Sequence, residues 1–148
     1  MELTWNEVLA ATNAKVHSGN LGGNAAIPKI TTDTRKIETG ELFIALRGEN
    51  FDGAEFAADA LQKGASAVLV GAPLSKSVEK ALKNAKGAVL TVSDTLAAYQ
   101  EIAHAWRMKF GVPVVAITGS NGKTTTKDLT AAVLSARGTV CRTAANYN

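Results

Sequence analysis

The chain has 148 residues, 46% hydrophobic and 20% charged with few aromatics; this excludes a disordered polymer and is enough chain to bury a core. Its net charge of +3, from 16 basic and 13 acidic residues with no run of about five or six like charges, offers no arm for nucleic acid, and its single cysteine excludes an internal disulfide. There is no secretory start and no stretch of about 18 apolar residues, so no membrane insertion is indicated and a reducing cytoplasm is the expected compartment.

In chain order, Thr4 and Glu7 form a capping-box pattern that starts a short helix carrying Val8 and Leu9 towards a core. "LGGN" at 21–24 reads as a turn, and "KITTDTRKI" as a strand running into a polar bend. Leu42 to Leu46 is a short apolar strand, ended by Gly48 and a polar loop up to Gly53. Phe56, Ala57, Ala60 and Leu61 recur at helical spacing with Gly64 as the stop, and "SAVLV" follows as a buried strand. "SKSVEKALKN" gives a further weak helix and "GAVLTV" another strand. The first ninety or so residues therefore predict a small α/β unit with a partly parallel sheet.

From Asp94 a long helix begins, and Leu96, Tyr99, Ala103, Trp106 and Phe110 trace one apolar face, read as core. Gly111 and Pro113 end it. "VPVVAIT" lacks alternation and predicts a central parallel strand covered on both faces. A helix from about Lys123 to Arg137 follows, with Leu129, Ala132, Val133 and Ala136 on one side. "TVCRT" then starts another strand, with Cys141 a small core residue. Two strands and one helix cannot cover the faces of a nucleotide-binding sheet, so the chain is expected to be the N-terminal part of a longer enzyme. The expected division is 1–92 and 93–148.

Between the last two elements lies "TGSNGKTTTK". Only Ser120 and Asn121 separate Gly119 from Gly122, where the common phosphate loop has four residues between its glycine and its Gly-Lys-Ser/Thr. The chemistry is nevertheless that of a triphosphate site. Glycines let backbone N–H groups approach phosphate oxygens at a helix N-terminus, Lys123 adds a point charge, and Thr124 offers a hydroxyl to Mg²⁺. The bland alternative is a glycine-rich turn with two ordinary early-helix residues.

"AITGSNGKTTTK" resembles the ATP loop of the Mur ligases and their folylpolyglutamate synthetase relatives, whose shared pattern is G-x-x-G-K-T/S-T. "DTRKIETGELFIALRGENFDGAEFAADALQKGASAVLV" resembles the family's N-terminal UDP-sugar-binding domain. The resemblance implies a small UDP-substrate-binding α/β domain, followed by the start of a phosphate-loop-containing parallel α/β ATPase domain. It also implies an ATP-dependent amide-bond ligase of peptidoglycan precursor synthesis, a cytoplasmic monomer using Mg²⁺. The terminal "NYN" is most similar to the type that adds D-alanyl-D-alanine to a UDP-N-acetylmuramoyl-tripeptide. The alternatives are the type that adds an amino acid to the UDP-dipeptide, and a non-catalytic module binding nucleotide or UDP-sugar.

By the same resemblance, Gly119, Asn121, Gly122, Lys123, Thr124 and Thr125 form the ATP loop, with Lys123 acting on the transferring phosphoryl. Thr32, Asp33, Thr34 and Arg35 lie at the UDP end of the substrate. Hydroxyls and an arginine suit a pyrophosphate, the lesser alternative for Arg35 being a solvated charge or an ion pair with Asp33 or Glu38. Asn50 and Asp52, in "GENFDG", either contact substrate or build turns. Asn146 and Asn148 match the start of an Asn-rich segment near the catalytic centre. The family's metal-binding glutamate, its carbamylated lysine and its C-terminal domain have no counterpart in the sequence. His104 is expected on the polar side of the long helix, and His17 in a weakly patterned strand region.

Overall fold

The computed structural model describes residues 2–48 and 51–144. Asn50, Asn146 and Asn148 lie outside the described residues. The chain divides into two compact units, Met1–Gly111 and Val112–Asn148.

The first unit is a five-stranded sheet in the order β1-β5-β4-β3-β2. Its strands are β1 (Lys15–Ser18), β2 (Ile30–Thr31), β3 (Leu42–Ile44), β4 (Ala67–Gly71) and β5 (Ala88–Val92). β2 through β5 are parallel, and only the edge strand β1 runs antiparallel, against β5. Helices α1 (Trp5–Thr12) and α4 (Thr95–Met108) share a core with one face, and α2 (Ala57–Gln62) and α3 (Lys76–Leu82) with the other. The period of two explains why β3 and β4 carry no polar positions. In β4, Ala67 and Leu69 enter the core with α1 and α4, while Val68 and Val70 enter the core with α2 and α3.

Local chemistry fixes the helix ends. Thr4 Oγ1 accepts from Glu7 N–H while Glu7 Oε2 accepts from Thr4 N–H at 2.8 Å, the predicted capping box. Asp94 caps α4 by accepting from the amides of Leu96 and Ala97. After α2, Gly64 N–H donates to Leu61 O and Ala65 N–H to Ala60 O, a paired C-terminal closure that turns the chain into β4.

The buried face of α4 differs from the expected one. Thr95, Ala98 and Ile102 are buried, with Ala105 packed beside them. Leu96, Tyr99, Ala103, Trp106 and Phe110 form the outer row, Leu96 being 53% exposed. Apolar residues surround most of this helix, so periodicity alone left two candidate rows. The row with two alanines and an isoleucine presents less bulk to the sheet, and the aromatic row is left outside, where Trp106 and Phe110 meet edge to face at 5.2 Å.

The second unit contains helix α5 (Lys123–Ser135). The strand expected at 112–118 does not form, and Val114 and Val115 are exposed. A parallel strand needs a neighbour to complete its hydrogen bonds, and the described residues of this unit include no strand. For the same reason "TVCRT" is irregular, and Cys141 is exposed rather than core. Ala131 is buried on α5, whereas Leu129 and Val133 are exposed.

Candidate functional site

Two groups of candidate residues are built separately, one in each unit. In the first, β2 and β3 are parallel with Thr31 opposite Phe43, so the loops leaving their C-terminal ends emerge on the same edge of the sheet. That edge is where open α/β sheets accept ligands.

The loop after β2 is held by its own side chains. Thr31 Oγ1 accepts from Asp33 N–H at 3.1 Å. Asp33 Oδ1 accepts from Arg35 N–H at 3.0 Å and so starts a single 3₁₀ turn over Thr34–Lys36. The Arg35 guanidinium then closes on the same carboxylate, with Nε 2.8 Å from Oδ1 and Nη2 2.8 Å from Oδ2. This fork holds the Asp33 carboxyl at about 2, chiefly through the Arg35 side chain and next through its N–H, and raises the already high pKa of Arg35. Arg35 is thus both exposed and paired, the intramolecular alternative weighed from sequence. Lys63 Nζ donates to Thr34 O at 3.3 Å, tying α2 to this loop. Thr32 is exposed beside the fork.

Beneath it lies a residue the sequence reading did not single out. Glu41 is buried to 1% exposure at the start of β3. Its Oε2 accepts from Glu38 N–H at 3.1 Å. Lys29 Nζ stands 3.1 Å from Oε1, at ion-pair distance but outside hydrogen-bond alignment. The Lys29 ammonium is pushed above its ordinary value, mainly by Glu41. Lys29 and Glu38 flank the Thr32–Arg35 loop, so this carboxylate clamps both of its ends. The available signal was a lone acid directly before an apolar strand, which also fits a solvated strand end.

In the loop after β3, Asp52 takes the turn-building role. Its Oδ1 accepts from Ala54 N–H at 3.0 Å, and its other oxygen lies 3.6 Å from Arg47 Nε.

The second group is the N-terminus of α5. Gly122 is the N-cap with φ +74°, and Gly119 has φ +145°, both in the region that L side chains avoid. Gly122 offers no side-chain oxygen to the amides of the first helical turn. That turn therefore presents N–H groups and the positive end of the helix dipole, an arrangement suited to an anion. Lys123 Nζ donates to Gly119 O at 2.7 Å, folding the ammonium back over its own loop. Asn121, Thr124 and Thr125 are exposed around it.

His104 is exposed on α4, 3.8 Å from Glu101, and His17 is exposed on β1. No group of three or more His, Cys, Asp or Glu side chains poised for a metal occurs among the described residues. Within them no helix is long and apolar enough to cross a membrane.

A family model described as "Mur ligase family, catalytic domain" matches residues 26–107, and one described as "Mur ligase middle domain" matches 117–148. The chain is 50% identical over 129 residues to a UDP-N-acetylmuramoyl-tripeptide--D-alanyl-D-alanine ligase of Synechocystis, covering 87% of this chain and 27% of that protein. It is 45% identical over 119 residues to the Bacillus subtilis protein of the same name, covering 80% and 25%. A UDP-N-acetylmuramoyl-L-alanyl-D-glutamate--2,6-diaminopimelate ligase of Geobacillus kaustophilus is 36% identical over 110 residues, covering 73% and 21%. Among solved structures, MurF from Acinetobacter baumannii superposes with a TM-score of 0.77 at 30% identity, over 93% of this chain and 28% of that one. MurF ligase from Thermotoga maritima in complex with ADP gives 0.67 at 28% identity, over 81% and 26%. The chain spans about a quarter of the length of these curated relatives.

Proposed function

Because the chain belongs to the Mur ligase family, we propose that it carries the UDP-substrate segment and the ATP loop of a ligase that joins D-alanyl-D-alanine to UDP-N-acetylmuramoyl-tripeptide. The observation that carries this reading is the N-terminus of α5. Gly119 and Gly122 take positive φ, no side chain caps the helix, and Lys123 sits over the loop within the stretch that matches the family's middle domain.

Residues 1–92 hold the UDP-sugar end of the substrate and residues 93–148 begin the nucleotide-binding part, in the cytoplasm where ATP is supplied. Thr32, Asp33, Thr34 and Arg35 face the substrate pyrophosphate, with Asn50 in the neighbouring loop. Arg35 turns from Asp33 to phosphate oxygens, which suit the same planar fork.

A carboxylate resists attack by an amine because oxide is a poor leaving group. Transfer of the ATP γ-phosphoryl to the substrate carboxylate gives an acyl phosphate; the dipeptide amine then adds to the carbonyl, and phosphate leaves with the C–O bond. Lys123 moves from Gly119 O to the transferring phosphoryl and stabilises its charge, while Gly119, Asn121, Gly122 and Thr125 shape the cradle. Thr124 is exposed, and its hydroxyl is a hard oxygen donor of the kind that would hold Mg²⁺. When bound, Mg²⁺ would neutralise charge on the phosphates.

The weaker similarity to diaminopimelate-adding ligases supports a second reading, in which the amine is an amino acid and the acceptor a UDP-dipeptide. The test is ligation by the full enzyme containing this chain, with each amine offered in turn. Lys123→Ala is expected to abolish ATP-dependent ligation while UDP-tripeptide binding survives. Unchanged turnover would remove the loop from the mechanism, and turnover with diaminopimelate alone would select the second reading.

A further inference from the structure

Apart from both candidate sites, the first unit has a groove of about 470 Å³ between the edge strand β1 and helix α3. β1 is the sheet edge opposite β2, so the groove is separate from the Thr32–Arg35 loop. Lys76, Lys80 and Lys83 line it from the helix side, at spacings of four and three that put them on one helical face. Leu82, buried in the core with β5, gives it an apolar floor.

His17 and Ser18 line it from the strand side. In a regular strand, consecutive side chains point to opposite faces, and only one of the two could do so. The register shifts between Val16 and Ser18, and this β-bulge lets both residues reach the same groove.

The charge in the groove is not balanced internally. Glu79 is its one acidic lining residue against three lysines, and among the described residues none of the three forms an ion pair. A concave surface of one sign concentrates counter-ions. Its chemistry also selects among anions. No arginine is present for planar bidentate recognition. Ammonium groups act as point charges towards oxygen-rich anions. Lys76 and the C-cap Lys83 are seven steps apart along the helix, a rise of about 10 Å, longer than one phosphate and matched to a pyrophosphate with its substituent.

We infer that the β1–α3 groove is an additional anion site of this chain, for a pyrophosphate-bearing molecule, independent of the ATP loop and of the UDP-sugar site. A soluble diphosphate and a diphosphate or phosphate headgroup in a lipid surface share this chemistry.

The test is titration with inorganic pyrophosphate of the full chain carrying Lys123→Ala, so that the ATP loop does not report, followed by amide chemical shifts. Saturable shifts at residues 17–18 and 76–83 are expected. Lys80→Ala/Lys83→Ala should weaken binding roughly tenfold or more, and Lys80→Arg/Lys83→Arg should retain it, with circular dichroism unchanged in both. A parallel arm uses phosphatidylcholine vesicles with and without phosphatidylglycerol. Groove shifts with pyrophosphate alone assign a soluble ligand, and shifts with the anionic vesicles as well assign a headgroup. Absence of groove shifts with pyrophosphate, or equal affinity in the double alanine variant, overturns the inference.

Discussion

Lys109 and Glu7, 102 residues apart, meet at 2.8 Å. The contact ties the end of α4 to the capping box of α1, because Glu7 also accepts from Thr4 N–H. Lys109, then the Thr4 amide, holds the Glu7 carboxyl down at about 2 from an ordinary value of 4.5. A depressed carboxylate pKa favours the folded state above the unfolded value, and the benefit disappears as pH falls through the folded one. Glu7→Gln is therefore expected to lower Tm at pH 7, to approach the parent between 4.5 and about 2, and to match it below that. Thermal melts across this range check the sign; a difference that grows on acidification would refute the linkage.

The two rows of α4 give a sharper stability test. Ile102 is 3% exposed against the sheet, and its truncation to alanine is expected to cost about 2–4 kcal/mol. Trp106, 38% exposed in the outer row, is the larger side chain, yet Trp106→Ala is expected to cost less than about 1.5 kcal/mol. Urea denaturation of both variants decides it. The reverse order would restore the aromatic row to the core.

These rows also mark how far the sequence was legible. Strands β3, β4 and β5 were readable because continuous apolar runs of four or five residues between turn signals have few alternatives. The capping box of Thr4 and Glu7 was equally plain. Which side of α4 is buried was not, because hydrophobicity lies on both sides and clearance against the sheet made the choice. "VPVVAIT" has strand composition, but composition supplies no hydrogen-bond partners. At the candidate sites, the Gly119–Thr125 loop was readable from glycine spacing, whereas the Lys29–Glu41 clamp depends on burial that no local pattern encodes. Asp33 and Arg35 were recognised as residues, but their mutual closure is a matter of rotamers.

Two glycines test different constraints. At Gly122 an added Cβ meets nothing within 4 Å, so Gly122→Ala is opposed only by its positive φ, at about 1–2 kcal/mol. At Gly53 the added Cβ would stand 2.5 Å from Leu46 O, so Gly53→Ala must displace the loop that closes on β3. Gly122→Ala is expected to weaken Mg-ATP binding with little change in the first unit. Gly53→Ala is expected to weaken UDP-tripeptide binding instead. Calorimetric titration of each ligand against each variant separates the two, and crossed losses would contradict the assignment of the ligands.

Asp33 occupies the guanidinium that the substrate pyrophosphate would need. Asp33→Asn keeps an oxygen to accept from Arg35 N–H, and so keeps the 3₁₀ turn, but removes the competing charge. Its expected effect is a few-fold gain in UDP-substrate affinity, while Arg35→Ala loses about tenfold or more. Affinity measured at low and physiological salt checks this. A loss in both variants would mean that Asp33 orients Arg35 rather than competing for it.

Glu41 joins local stability to the same site. Removing it leaves the part-buried Glu38 N–H without its acceptor and leaves Lys29 only the looser 3.8 Å pair with Glu38. Lys29 is half exposed and can rehydrate, so the unpaired amide dominates, and Glu41→Ala is expected to cost about 1–3 kcal/mol. Glu41→Gln preserves the acceptor and the shape and should recover most of that loss, missing only the attraction to Lys29. Because Lys29 and Glu38 bracket Thr32 to Arg35, Glu41→Ala should also weaken UDP-substrate binding while leaving Mg-ATP binding unchanged. Thermal unfolding with each ligand checks both statements together. If the alanine variant melts like the parent, the carboxylate does not anchor the loop, and the arrangement of Thr32 to Arg35 must depend on the Thr31, Asp33 and Lys63 contacts alone.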